Sequence, residues 1–211
     1  MADWSLSHEV IKAGLSGIVS LVILGSGWLV GSRISAMWTL RQKRRELAVS
    51  AASELHRIYG EFFAIWKLWN SLKTESSLSP TAELRWNLLE RAALVEAGFE
   101  ALLMKIASER VLSKVDCDDL GLLRQGFQRL RETITSSKRL EWFSSSHPEY
   151  VAFKRLSCHF ANLLTSDQQW QQPDRETASD ALLDITSNAH ELRWRQLSTG
   201  NSLGEFSRLR Q

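Results

Sequence analysis

The side chains able to bind a metal or attack a substrate are few, and their spacing suits neither task. Cys158 and His159 are adjacent soft ligands, but Cys117 stands 41 residues earlier. The chain has no CxxC, HExxH or HxxxH pattern. Metal coordination needs several ligands at matched spacing, so no metal site is expected. His159, beside Phe160 on an expected helix, reads as a packed or solvated ring. Cys117 falls at an expected helix start, where the helix dipole favours a thiolate. Asp116, Asp118 and Asp119 surround it and act the other way.

Other constellations are absent too. There is no GxSxG elbow, no GxxxxGK[ST] loop and no GxGxxG turn. A di-metal carboxylate bundle uses Glu-x-x-His pairs, whereas Glu54 and His56 are two apart and His190-Glu191 fits no better. The Asp116–Asp119 cluster lacks the central Gly and distal Glu of a calcium loop. It reads as an acidic helix start. No catalytic residue and no cofactor is expected, and the chain is expected not to be an enzyme. An enzyme with an unrecognised helical site stays as an alternative, because sites need not be local in sequence.

Arg124, Arg129, Arg131, Lys138 and Arg139 lie on one stretch, followed by Trp142 and Phe143. Such a run can meet an acidic partner. The chain carries 26 basic and 24 acidic side chains, a formal charge of only +2. With no recognition motif beside it, the run reads as a solvated helix face, and nucleic acid is not expected as a partner. The two cysteines, Cys117 and Cys158, fit free thiols in a reducing compartment.

The elements that must position these residues begin with an apolar run. Ala13–Ser32 has 20 residues and no charge. As a helix it is about 30 Å long, the thickness of a bilayer's hydrocarbon core. Arg33, Arg41, Lys43, Arg44 and Arg45 follow it before the first acid, Glu46. Basic flanks stay in the cytoplasm, which puts the N-terminus outside and the C-terminal domain inside. Arg41, Lys43, Arg44 and Arg45 are expected to rest on anionic headgroups. A cleaved signal peptide has its positive charge before the apolar run, the reverse of this order. Gly27 and Gly31 form a GxxxG, a spacing that lets two spans approach closely.

Beyond the run, the apolar period is helical. Ala48, Ala51, Leu55, Ile58, Phe62, Ile65, Trp69 and Leu72 step by three and four. Tyr59, Phe63 and Trp66 widen this face beyond a narrow seam, as in a bundle. Ser79-Pro80 reads as the cap of a second helix, which carries Leu88, Ala92, Val95, Phe99, Leu102 and Ile106. Asp116–Asp119 opens a third, with Leu120, Leu123, Phe127, Leu130 and Ile134. Ser144–Pro148 precedes a fourth, with Phe153, Leu156, Phe160 and Leu163. Gln171–Asp174 precedes a fifth, with Ala178, Leu182, Ile185, Ala189 and Leu192. No stretch alternates with a period of two, so no sheet is expected.

The sequence therefore predicts an all-α chain: one N-terminal transmembrane helix continuing into a cytoplasmic antiparallel bundle of four or five helices. The divisions are a short outer segment (1–12), the span (13–32), a basic juxtamembrane segment (33–47), the bundle (48–197) and a flexible tail (198–211). The expected role is a membrane-anchored interaction or scaffold protein. It would act by self-association or through a protein partner, with the lipid bilayer as its other contact. Gly27 and Gly31 would associate spans. Leu55, Ile58, Phe62, Ile65 and Trp69 would form a helical interface. A membrane effector, whose cytoplasmic domain controls span assembly and permeability, is the other alternative.

Overall fold

The computed structural model describes residues 3–74, 81–142, 145–166 and 173–198, with side chains described at 33–35, 37–39, 41–73, 81–142, 145–166 and 173–197. Every regular element among them is helical: α1 (Asp3–Thr74), α2 (Ala82–Glu109), α3 (Lys114–Thr135), α4 (Pro148–Thr165), α5 (Arg175–Ile185) and α6 (Ala189–Ser198). The chain divides into two compact units, Met1–Leu47 and Ala48–Gln211.

The first unit is α1 up to Leu47. Ala13–Ser32 lies within the helix, and its side chains, like positions Gly27 and Gly31, lie outside the described ones. Among the described residues no helix is long and apolar enough to cross a membrane. Arg33, Arg41, Lys43, Arg44 and Arg45 are all exposed, as is Trp38.

The second unit is a bundle built around the remainder of α1. Leu55, Ile58, Phe62, Ile65 and Trp69 are buried there, against the chain's own helices. Phe62 stacks on Phe153 of α4 at 4.6 Å between ring centroids and meets Phe127 of α3 edge-on at 5.3 Å. Phe127 in turn stacks on Phe99 of α2 at 4.4 Å. Four successive helices thus place one aromatic ring each at the same level of the core. Offset and edge-to-face pairs of this kind add to what burial alone supplies.

The contacts also fix direction. Glu61 pairs with Arg91 and Ile58 meets Gly98, so residue numbers fall on α1 as they rise on α2. Glu100 pairs with Arg124 and Glu96 with Arg131, giving α2 and α3 the same opposed sense. Phe127 meets Phe153 while Asp116 meets His159, so α3 and α4 also run antiparallel. The later part of α1 with α2, α3 and α4 is an up-down-up-down arrangement, and α5 and α6 pack onto it.

Three expected boundaries shift. The cap of α2 is Thr81, whose hydroxyl accepts from the Leu84 amide at 3.2 Å; Ser79 and Pro80 lie outside the described residues. α3 begins before the acidic cluster, at Lys114, because Ser113 and Asp116 form a reciprocal capping box. The expected fifth helix breaks at 186–188, which makes six helices among the described residues. Thr186 turns its hydroxyl onto the Leu182 carbonyl at 2.8 Å, and Ser187 accepts from the Ala189 amide at 3.3 Å. These short polar side chains compete with the backbone ladder and end α5. Pro148 does start α4, with His147 before it as a cap that makes no side-chain bond.

Candidate functional site

A polar constellation sits where α3 begins, and α4, α5 and α6 all contribute to it. Lys114 reaches Asp184 of α5 at 2.6 Å and Asp118 of its own helix at 3.2 Å. Arg193 of α6 holds the other side of Asp118 at 3.0 Å. His159 of α4 lies 3.3 Å from Asp116 and 3.7 Å from Asp119. His190 of α6 is buried, and its Nε2 lies 2.8 Å from the Asp184 backbone carbonyl. A carbonyl only accepts, so Nε2 carries the proton. Nδ1 is buried without a hydrogen-bond partner among the described residues.

Gly121 makes this packing possible. A Cβ there would stand 2.3 Å from the His190 ring. At Gly126, five residues further on, a Cβ would stand 2.5 Å from the Phe153 ring. The two glycines let α6 and α4 lean directly on the α3 backbone.

The electrostatics follow from burial and pairing. Burial pushes the Cys117 thiol up to about 11, and Asp184 and Asp116 add to the rise. The thiol is therefore protonated at neutral pH and packs in the core. Burial also raises the Asp119 carboxyl, against the pull of His159. For Asp118 burial acts upward, but hydrogen bonds from Lys114 and Arg193 outweigh it and leave the carboxyl lowered. Lys114 is raised, chiefly by its bond to Asp184.

Asp118, Asp184 and His190 bring ligand atoms within 4.8 Å of one another, the one such group among the described residues. Carboxylate and imidazole together suit a divalent transition ion. Both carboxylates, however, are already held by Lys114 and Arg193. The cluster's charge is balanced by the chain's own cations, and its evident work is to tie α3 to α5 and α6. Asp184 and His190 lie 66 and 72 residues beyond Asp118. No local spacing announces them.

The basic stretch resolves into separate pairs. Arg124 bonds Glu100, Arg131 reaches Glu96 at 2.5 Å, and Arg129 is 3.7 Å from Glu132. Lys138 and Arg139 line a cleft of about 510 Å³ with Arg129, His147, Glu141 and Glu149, a mixed-charge surface. This connection between α3 and α4 is strapped to α1. Trp66 and Asn70 both donate to the Leu140 carbonyl, at 3.1 and 2.8 Å, and Trp69 donates to that of Lys138 at 2.6 Å.

Arg110 is a structural residue that sequence patterns do not mark. It is buried at the end of α2, and its guanidinium donates to the Leu163, Leu164 and Ser166 carbonyls. It satisfies the carbonyls that every helix C-terminus leaves open. Burial lowers its pKa.

Comparison of the chain with known protein families, with curated proteins and with solved structures finds no match.

Proposed function

We propose that this chain is a non-enzymatic, single-pass membrane-anchored helical protein whose cytoplasmic bundle serves interaction or scaffolding, through self-association or a protein partner. The observation that carries the proposal is the uncharged 20-residue run Ala13–Ser32 within α1, followed by the exposed cations Arg41, Lys43, Arg44 and Arg45. The run matches the hydrocarbon thickness, and the cations match the cytoplasmic, anionic side. Gly27 and Gly31 supply a close-approach spacing for pairing spans. The bundle's polar clusters are internally paired, which suits a body that presents surfaces better than one that turns over a substrate.

Membrane fractionation tests the anchor. The full chain is expected to stay with membranes through high-salt and alkaline carbonate washes, and protease added to sealed cells should leave residues 48–211 intact. Release by carbonate would overturn the span. Release by salt alone would reduce the contact to the basic segment resting on headgroups.

A further inference from the structure

We propose that the outward face of α2 is a docking surface for a second copy of this chain. The inference rests on the self-association reading above and names the surface that would carry it. The stripe from Ala48 to Leu72 packs against the chain's own α2, α3 and α4. Its large residues from Leu55 to Trp69 have no surface left for a partner.

α2 carries a second apolar stripe, on the side away from the core. Trp86 is 67% exposed, Leu94 65% and Met104 60%. Ala93, Ala97 and Ala101 lie between them and are also exposed. The steps of three and four put these residues on one face, about 27 Å long at 1.5 Å per residue. Three large apolar side chains aligned along one helix form a patch rather than the scattered singles of an ordinary surface. The central alanines let another helix approach closely.

Charge selects the occupant. Glu90 lies within the stripe and Lys105 at its edge, and neither has an ion pair among the described residues. Bring two copies of α2 together antiparallel about a two-fold axis near Ala97. Glu90 of each copy then comes to the level of Lys105 of the other, on the same side of the interface. A two-fold contact repeats each pair, so the match is made twice. A lipid surface is disfavoured, since an interfacial helix carries its acids away from the apolar face. One helix with an acid and a base placed symmetrically about its middle is complementary to itself.

The test is the mass of the full chain in detergent or nanodiscs, by light scattering across a concentration series, for wild type, four variants of α2 and one of the apolar run. Glu90→Lys and Lys105→Glu each set like charges opposite one another twice, and each should weaken association about tenfold or more. The double variant Glu90→Lys/Lys105→Glu restores opposite charges and should recover it. Ala97→Glu, at the centre, should leave the bundle helical with unchanged thermal melting but abolish the contact. Rescue by the double variant supports the docking and its antiparallel register. An oligomer indifferent to all four variants, yet dissolved by Gly27→Leu with Gly31→Leu, overturns the α2 surface and leaves the self-association reading standing. A wild-type monomer at all concentrations overturns both. Cross-linking from an Ala97→Cys variant to a different protein overturns the second copy as occupant.

Discussion

Two stripes of apolar residues with the same helical spacing have opposite fates in this molecule. On α1, Leu55, Ile58, Phe62, Ile65 and Trp69 are wholly covered by the chain itself. On α2, Trp86, Leu94 and Met104 face outward, while Leu88, Val95, Phe99 and Leu102 of the same helix line the core. Spacing says that a helix has an apolar face. What covers that face is decided by where the other helices lie. α2 has apolar residues around much of its circumference, and the bundle uses only one side of it.

The difference is open to measurement. The largest effect belongs to the covered stripe. Phe62→Ala removes a ring held among Phe127, Trp142 and Phe153, and should cost about 3–5 kcal/mol in chemical denaturation. A loss below about 1 kcal/mol would mean that the aromatic layer is not the core.

Asp119 sharpens the contrast from a different side, because it puts a charge on a covered face. Burial raises its folded carboxyl above the ordinary value, with Asp116 and Asp118 pushing the same way and His159 and Arg193 opposing. A raised carboxyl favours folding most below its unfolded pKa, and that contribution is lost as pH rises through the folded value. Asp119→Asn does not ionise. It should therefore melt higher than wild type at pH 7, with the gain shrinking towards zero at pH 3. A gain equal at both pH values would show that shape, not ionisation, sets the effect.

The smallest effect belongs to the uncovered stripe. Leu94→Gln should change the stability of the isolated monomer by no more than about 0.5 kcal/mol, the range of ordinary surface substitutions. A large loss in a monomeric sample would mean that the α2 face is covered within one chain.

Much of the architecture was legible because it depends on local periodicity. The all-helical class, the α1 stripe and the Pro-led start of α4 follow from side-chain spacing and backbone chemistry. The Ser79-Pro80 pair marks a helix start but not Thr81, the residue whose hydroxyl makes the capping bond. The break at 186–188 is not legible in the sequence, because the apolar period from Ala178 to Leu192 runs on through it. Competition by Thr186 and Ser187 for backbone groups leaves no mark in that period.

The polar constellation is a different case. Its acidic end, Asp116, Asp118 and Asp119, stood out as a helix start. Lys114 is one turn away on the same helix, but His159, Asp184, His190 and Arg193 come from α4, α5 and α6, and only folding brings them to it. The same holds for Arg110, whose carbonyl partners lie more than fifty residues away.

By itself, then, the sequence determined the helices, the uncharged run with its basic flank, and the apolar faces that must be buried. Those depend on neighbours within a few residues. Tertiary structure alone decided that the α1 face is spent inside the bundle, that the α2 outer face is not, and that the acids of α3 meet Arg193 of α6 and His159 of α4. Such choices are made by contacts across tens of residues, where chain order sets no distance and only packing does.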